Sequence, residues 1–333
     1  MMAENKGIMV YGEVTEGKLS AITSELLGGG RHLADELKEE LMCILVGDKL
    51  DDAAKKAISF GADKVFTVED PLLKDYQTDS YVSVMEKAVK ETAPRALLFG
   101  QTAVGRDLSP RLAFRLGTAL AMDCIELSID PATKLLQETR SVYGGNARAT
   151  FCSDLLPQMV TVRQKAMTPL APDDAKKGEV AAIKAELDPA KIRTKVLNTV
   201  KEEVAGVKLE DASIIVAGGR GIGGPDGFKQ LEELAKALKG AVGASRPPSD
   251  NKWVPESWQI GLTGKIVSPE VYIAVAISGA SQHLAGCSGA KNIIAINKDP
   301  EANIFKEARF GVVGDWKQVL PSFTQKVKEL LAG

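Results

Sequence analysis

Short β-branched runs alternate with longer amphipathic stretches from residue 6 onward, and nothing else in the chain restricts its folding as strongly. Strand candidates stand at Gly7–Val14, Leu41–Val46, Lys64–Val68 and Ala96–Gly100, each a brief apolar run bounded by Gly, Asp or Pro. Helical periodicity occupies the intervals around Leu19–Glu39, Leu50–Phe60, Tyr81–Glu91 and Arg106–Leu116. Parallel neighbours need a crossover of about a dozen residues, which a helix supplies, so the alternation predicts an α/β domain with a mostly parallel sheet. With 333 residues there is chain enough for roughly two such domains, each with its own core.

After Asp123 the texture changes. Cys124–Ile129, Leu135–Val142, Ala147–Phe151 and Gln158–Arg163 are four short strand candidates separated by turns such as Asp130-Pro131 and Gly144-Gly145-Asn146, and they read as antiparallel additions to the same sheet. A polar, Pro-containing stretch, Lys165–Lys177, leads to a further alternating run at Glu179–Leu187. The expected division is an N-terminal α/β domain over residues 1–205 and a C-terminal domain over 206–333. The second unit opens with Ile214–Ala217, a buried-strand run ending in glycines. It continues with a helix at Phe228–Leu238, strands at Tyr272–Ile277 and Asn292–Ile296, and a helix at Phe323–Leu331. It reads as a doubly wound sheet, flavodoxin-like or Rossmann-like, in which ligands bind outside the carboxyl ends of the strands.

Composition narrows the function. Lys+Arg 42 against Asp+Glu 44 leaves a net charge of −2, so no basic field draws the chain to nucleic acid or an anionic membrane. The first ten residues lack a cationic flank and apolar run, and no stretch reaches the ~18 apolar residues of a membrane span, so the expected location is the cytoplasm of a bacterium or an equivalent reducing compartment. Cys43, Cys124, Cys152 and Cys287 show no metal-ligand spacing and read as reduced, buried thiols; no metal is expected. No nucleophile–base pair, carboxylate pair or His cluster suggests hydrolytic chemistry.

The polar motifs crowd into the second unit. Gly219, Gly221 and Gly224 fit G-x-G-x-x-G between a strand and a helix, but Ser245 and Arg246 stand where a dinucleotide fold wants a ribose-binding acid. An NAD(P) oxidoreductase built on the Gly219 loop, a ligand-free glycine turn and another nucleotide arrangement all remain open. Arg220 is either a phosphate partner or a solvated charge. Ser278-Gly279-Ala280-Ser281-Gln282-His283, directly after a buried strand, gathers hydroxyls, an amide and an imidazole, enough donors for an anionic ligand at a helix N-terminus. His283 is one of two histidines; His32 lies on the polar face of the first helix and reads as structural. Val242–Pro248, Ile260–Val267, Asn297–Pro300 and Gly314-Asp315 add small-residue loops with polar groups, and their convergence in one short domain suggests one extended ligand.

At these residues the chain closely resembles the α subunit of electron transfer flavoprotein. The likeness rests on Gly-Gly-Arg-Gly at 218–221, Val-Gly-Ala-Ser-Arg at 242–246, Thr-Gly-Lys-Ile-Val at 263–267, Ile-Ser-Gly-Ala-Ser-Gln-His-Leu-Ala-Gly at 277–286 and Ala-Ile-Asn-Lys-Asp-Pro at 295–300. The runs at Gly105–Arg111 and Pro157–Arg163 are similar to the family more loosely. The resemblance implies an electron carrier that pairs with a β subunit and holds FAD mainly in its C-terminal domain, lined by Arg220, Ser245, Arg246, Ile260, Gly261, Leu262, Thr263, Ser278, Gly279, Ala280, Ser281, Gln282, His283, Asn297 and Asp315. It implies Arg246 over the isoalloxazine, the Thr263 hydroxyl near flavin N5 and His283 near the pyrimidine carbonyl. The Ser278 loop would serve the ribityl and pyrophosphate, with Asn297 and Asp315 toward the adenosine. His283 and Arg246 are the expected cations that favour the reduced flavin. Leu262 departs from the family, whose members often have Gln there. Implied partners are an acyl-CoA dehydrogenase-type flavoenzyme, as in fatty acid β-oxidation, and, through the likeness of Glu4–Ile8 and Tyr11–Glu16 to clostridial members that bifurcate electrons, NADH and ferredoxin.

Overall fold

The computed structural model describes residues 5–145, 147–200 and 207–332. The chain divides into two compact units, residues 1–142 with 146–200 and residues 143–145 with 201–333. The expected divide at 205/206 lies outside the described residues.

The first unit begins with β1 (Ile8–Gly12), a small hairpin of β2 (Val14–Thr15) and β3 (Lys18–Leu19), α1 (Ala21–Leu37), β4 (Leu41–Gly47), α2 (Asp51–Ser59) and β5 (Lys64–Glu69). It continues through α3 (Thr78–Thr92), β6 (Ala96–Gly100), α4 (Ala103–Leu116), β7 (Leu120–Ile129), β8 (Leu136–Val142), β9 (Ala147–Cys152), β10 (Gln158–Val162) and β11 (Glu179–Ala182). Nine strands pair in the order β11-β5-β4-β1-β6-β10-β7-β8-β9. The central strands β1, β4, β6 and β10 are buried at every residue, because helices cover both faces of a parallel sheet and leave no solvent side to alternate toward. Leu26, Leu27 and Leu33 of α1 and Ala53 and Ala57 of α2 pack on one face. Met85 and Val89 of α3 and Leu108 and Leu112 of α4 pack on the other. Helix α4 starts where the Thr102 hydroxyl accepts the Gly105 N–H at 3.0 Å, and ends at Gly117 in the left-handed region at φ 68°.

Two expectations for this unit need correcting. β7, β8 and β9 do form an antiparallel extension, but Gln158–Val162 is parallel and lies between β6 and β7. Its Met-Val-Thr-Val run is buried on both faces, which marks a central strand rather than a peripheral antiparallel one. Cys152, at the end of the outermost strand β9, is exposed, while Cys43, Cys124 and Cys287 are buried as expected.

The second unit contains β12 (Ile214–Gly218), α5 (Pro225–Ala237), β13 (Ala241–Ala244), α6 (Arg246–Asp250), β14 (Val271–Val275), α7 (Ser281–Cys287), β15 (Asn292–Asn297), α8 (Ile304–Glu307), β16 (Phe310–Val313) and α9 (Trp316–Ala332). All five strands are parallel, in the order β13-β12-β14-β15-β16. Counted within the unit this is 2-1-3-4-5, the flavodoxin-like order, and the winding reverses between β12 and β14. Helix α9 starts seven residues before the expected Phe323, since Trp316, Leu320 and Thr324 are buried at i, i+4, i+8 and carry its apolar face back past Pro321. Asp315 accepts the Lys317 N–H at 2.9 Å and so caps that first turn.

Candidate functional site

At the reversal point a crevice of about 650 Å³ opens, the size of a typical small-molecule site. Each of four strands delivers a loop to it from its carboxyl end: β12 leads to Arg220, β13 to Ser245 and Arg246, β14 to Ile277 through His283, and β15 to Asn297. The segment Gln259–Thr263 closes one side.

Local sequence explains how the loops come so close. Gly219 donates its N–H to the Val275 carbonyl at 2.9 Å, and a Cβ on Gly219 would lie 2.0 Å from the Ala276 carbonyl oxygen, so only glycine lets the β12 and β14 ends meet. Gly279, at φ +80°, turns the chain out of β14; a Cβ there would stand 2.2 Å from the Ile304 N. Between them Ala276 occupies the left-handed region at φ 53°, a strained conformation for a residue with a Cβ, held by its N–H on the Ile296 carbonyl at 2.8 Å. Trp316 donates its indole N–H to the Gly221 carbonyl at 3.1 Å and steadies the glycine-rich turn from below.

Of the residues singled out from sequence, Arg220, Ser245, Arg246, Ile260, Gly261, Leu262, Thr263, Ser278, Ala280, Gln282, His283 and Asn297 line this one crevice. Gly279 and Ser281 belong to the same loop without lining it. Asp315 stands one strand further on, at the exposed capping position of α9. Arg246 pairs with Asp250 at 3.1 Å on the exposed rim. Thr263 receives the Gln259 amide N–H on its hydroxyl oxygen at 2.9 Å. Asn297 is buried and spent on the fold: its amide donates to the Ile277 carbonyl at 2.8 Å and its oxygen accepts the Asp299 N–H at 3.0 Å. Leu262 leaves its side chain exposed, while its N–H holds the Gln282 carbonyl at 2.7 Å. Sequence reading missed Asp250 and Gln259, both four residues from a chosen side chain. Helical spacing from Arg246 signals the first; nothing in the sequence signals the second.

His283 does not supply the expected cation. It is 6 % exposed, and burial pushes its pKa down to about 4, against a smaller upward pull from its hydrogen bond to the Ile260 carbonyl. The ring is neutral at pH 7, which leaves the two arginines as the cations of the crevice lining. The dinucleotide reading of the glycine turn also loses its support. That fingerprint needs its third glycine for close helix–strand packing, yet a Cβ on Gly224 would meet nothing within 4 Å. Among the described residues no cluster of His, Cys, Asp and Glu could hold a metal, and no helix is long and apolar enough to cross a membrane.

Comparison with known proteins agrees with this geometry. Residues 8–188 match the electron transfer flavoprotein domain, and residues 208–288 the electron transfer flavoprotein FAD-binding domain. The chain is 46 % identical to the electron transfer flavoprotein subunit alpha of Thermoanaerobacterium thermosaccharolyticum over 99 % of its length and 100 % of the relative. It is 45 % identical to the subunit of the same name from Megasphaera elsdenii, over 98 % of each chain. It is also 39 % identical to the acryloyl-CoA reductase electron transfer subunit beta of Anaerotignum propionicum, over 97 % of this chain and 96 % of that one.

Proposed function

Because the chain belongs to the electron transfer flavoprotein family, as an alpha subunit, we propose that its C-terminal unit holds FAD and that, paired with a β subunit, it carries electrons between flavin- or NADH-linked dehydrogenases and an acceptor. The observation that carries this reading is the convergence of four strand ends on one crevice at the reversal point of the second sheet. The donor set of the crevice as a whole suits FAD. Two guanidinium groups, Arg220 and Arg246, match an anionic pyrophosphate or a flavin ring that gains negative charge, and the Ser245, Thr263 and Ser278 hydroxyls suit a polyol chain. The glycines at 219 and 279 let the backbone segments around the crevice pack closely enough to form it.

When bound, FAD supplies the one-electron and two-electron redox chemistry. The protein's part is binding, orientation and charge. Arg246 and Arg220 offset negative charge that develops in the crevice. Thr263, its oxygen already accepting from Gln259, has its hydroxyl hydrogen free to donate inward. Neutral His283 contributes shape rather than charge.

The name of the Anaerotignum propionicum relative joins electron transfer to a CoA-ester reductase. That supports an acyl-CoA dehydrogenase-type flavoenzyme as a partner here, with flavin-based bifurcation from NADH to ferredoxin as the finer form of the proposal. Co-purification with the β subunit and a flavin count test the core of it. A yellow heterodimer with FAD on this chain is expected, and a colourless one that stays empty in excess FAD refutes it. NADH oxidation that requires both ferredoxin and a flavin-linked acceptor then tests bifurcation; oxidation without ferredoxin reduction rejects it.

A further inference from the structure

Tyr272 is fully buried in β14, yet its hydroxyl is not idle: it lies 2.9 Å from His283 Nε2. On the other side of the ring, His283 Nδ1 lies 3.0 Å from the Ile260 carbonyl oxygen. A carbonyl can only accept, so Nδ1 carries the hydrogen; the neutral ring then has only a lone pair at Nε2, and the phenol must donate to it. The nearby Cys287 thiol, whose charge would oppose ionisation of the phenol, is itself buried and pushed up to about 12, so it supplies no anion to compete for the phenolic hydrogen.

We infer that Tyr272 is a positioning residue of the crevice: its hydroxyl locks His283 in the Nδ1–H tautomer, and through that ring ties the Ile260–Thr263 wall to α7. Two backbone bonds run beside this link, Leu262 N–H to the Gln282 carbonyl at 2.7 Å and Val267 N–H to the Gly286 carbonyl at 2.8 Å. The imidazole adds a side-chain hydrogen bond between wall and helix, and it depends on a hydroxyl reaching out of the sheet core. With both nitrogens engaged, His283 presents the crevice with no N–H and no charge. The tautomer lock is independent of the ligand, whereas its meaning for the flavin rests on the FAD reading above.

Histidine-selective ¹⁵N NMR of the full-length chain tests this directly, since His32 is the only other imidazole and a His32→Gln variant assigns it. His283 is expected to show a protonated Nδ1 and an unprotonated, hydrogen-bonded Nε2, unchanged from pH 8 to pH 5. In Tyr272→Phe, which keeps the ring's packing, the Nε2 resonance is expected to move toward the position of a free imine-type nitrogen, with an Nε2–H population appearing or protonation starting at higher pH. Unchanged His283 shifts and titration in Tyr272→Phe overturn the inference. An Nε2–H tautomer in the unaltered chain overturns it as well, so a misfolded variant does not rescue it. Both measurements use the chain without cofactor; a heterodimer that never binds FAD sinks the functional proposal and leaves the tautomer result standing.

Discussion

Gly219→Ala isolates the contact on which the crevice depends. The backbone at Gly219 is extended, with φ −96° and ψ −177°, so alanine adopts it without torsional strain. Only the added methyl matters. It would sit 2.0 Å from the Ala276 carbonyl oxygen, where separations under 3.0 Å are essentially never seen, so the β12 and β14 ends must part by about 1 Å. The obstacle is backbone, fixed by the Gly219 N–H on Val275 and the Ala276 N–H on Ile296, and no flexible side chain can swing aside. Overpacking of this kind costs roughly 1–3 kcal/mol, and a rigid neighbour puts this case at the upper end. Alanine recovers ~0.4–1 kcal/mol through the less flexible unfolded chain, which leaves a net loss of about 2 kcal/mol. For a unit of this size that lowers the melting temperature by roughly 6–10 °C. Trp253, Trp258 and Trp316 are the chain's three tryptophans and all lie in the second unit, with Trp316 bonded to the glycine turn itself. Tryptophan fluorescence therefore reads this unit alone. A variant that melts within 1 °C of the parent, with its Trp316 environment unchanged, refutes the close-approach reading of Gly219.

In the first unit, Glu138 is 4 % exposed and burial raises its pKa from 4.5 to about 7. Its contribution to stability is therefore full below about pH 4.5 and lost as pH rises through 7, so Glu138→Gln should be more stable than the parent by about 3 kcal/mol at pH 8 and by almost nothing at pH 4; parallel urea midpoints across that window contradict this. Cys152 should react with a thiol reagent in the native chain while Cys43, Cys124 and Cys287 stay protected until unfolding; mass-mapped labelling of any buried cysteine at the same rate contradicts it. In the FAD-loaded heterodimer Arg246→Gln should lower the flavin reduction potential and Asp250→Asn should raise it, since the two side chains form one pair at the rim. A shift of about 59 mV corresponds to ~1.4 kcal/mol for one electron, and equal potentials in both variants reject a charge role.

The strands most readable in the sequence were those buried on both faces. β1, β4, β6, β12 and β14 are continuous apolar runs because a parallel sheet sandwiched by helices has no wet side. β13, with sequence AVGA, and β16, with sequence FGVV, are hard to read because each is only four residues long and interrupted by a glycine. Their place is fixed by neighbours, through parallel pairing with β12 and β15. Gln158–Val162 reads as a strand from its sequence, but its direction does not, since direction depends on which strands flank it, and its partners β6 and β7 start some sixty and forty residues earlier in the chain.

The site was legible as a set of loops and illegible as a charge distribution. Serine, glycine, asparagine and arginine after buried strands announce a polar crevice at a strand end, and twelve of the chosen residues line it. Whether an imidazole among them is charged depends on burial and on which atoms meet its nitrogens, and both arise from residues eleven and twenty-three positions away, Tyr272 and Ile260. Neutral His283 shifts the electrostatic burden of the crevice onto Arg220 and Arg246, and Arg246 is itself partly offset by Asp250. Asp250 lies on the same short helix one turn along, so part of the charge at the mouth of this crevice is a rim ion pair open to solvent. Such a pair is screened by salt, and it is the kind of charge that a docking partner can alter by burying it.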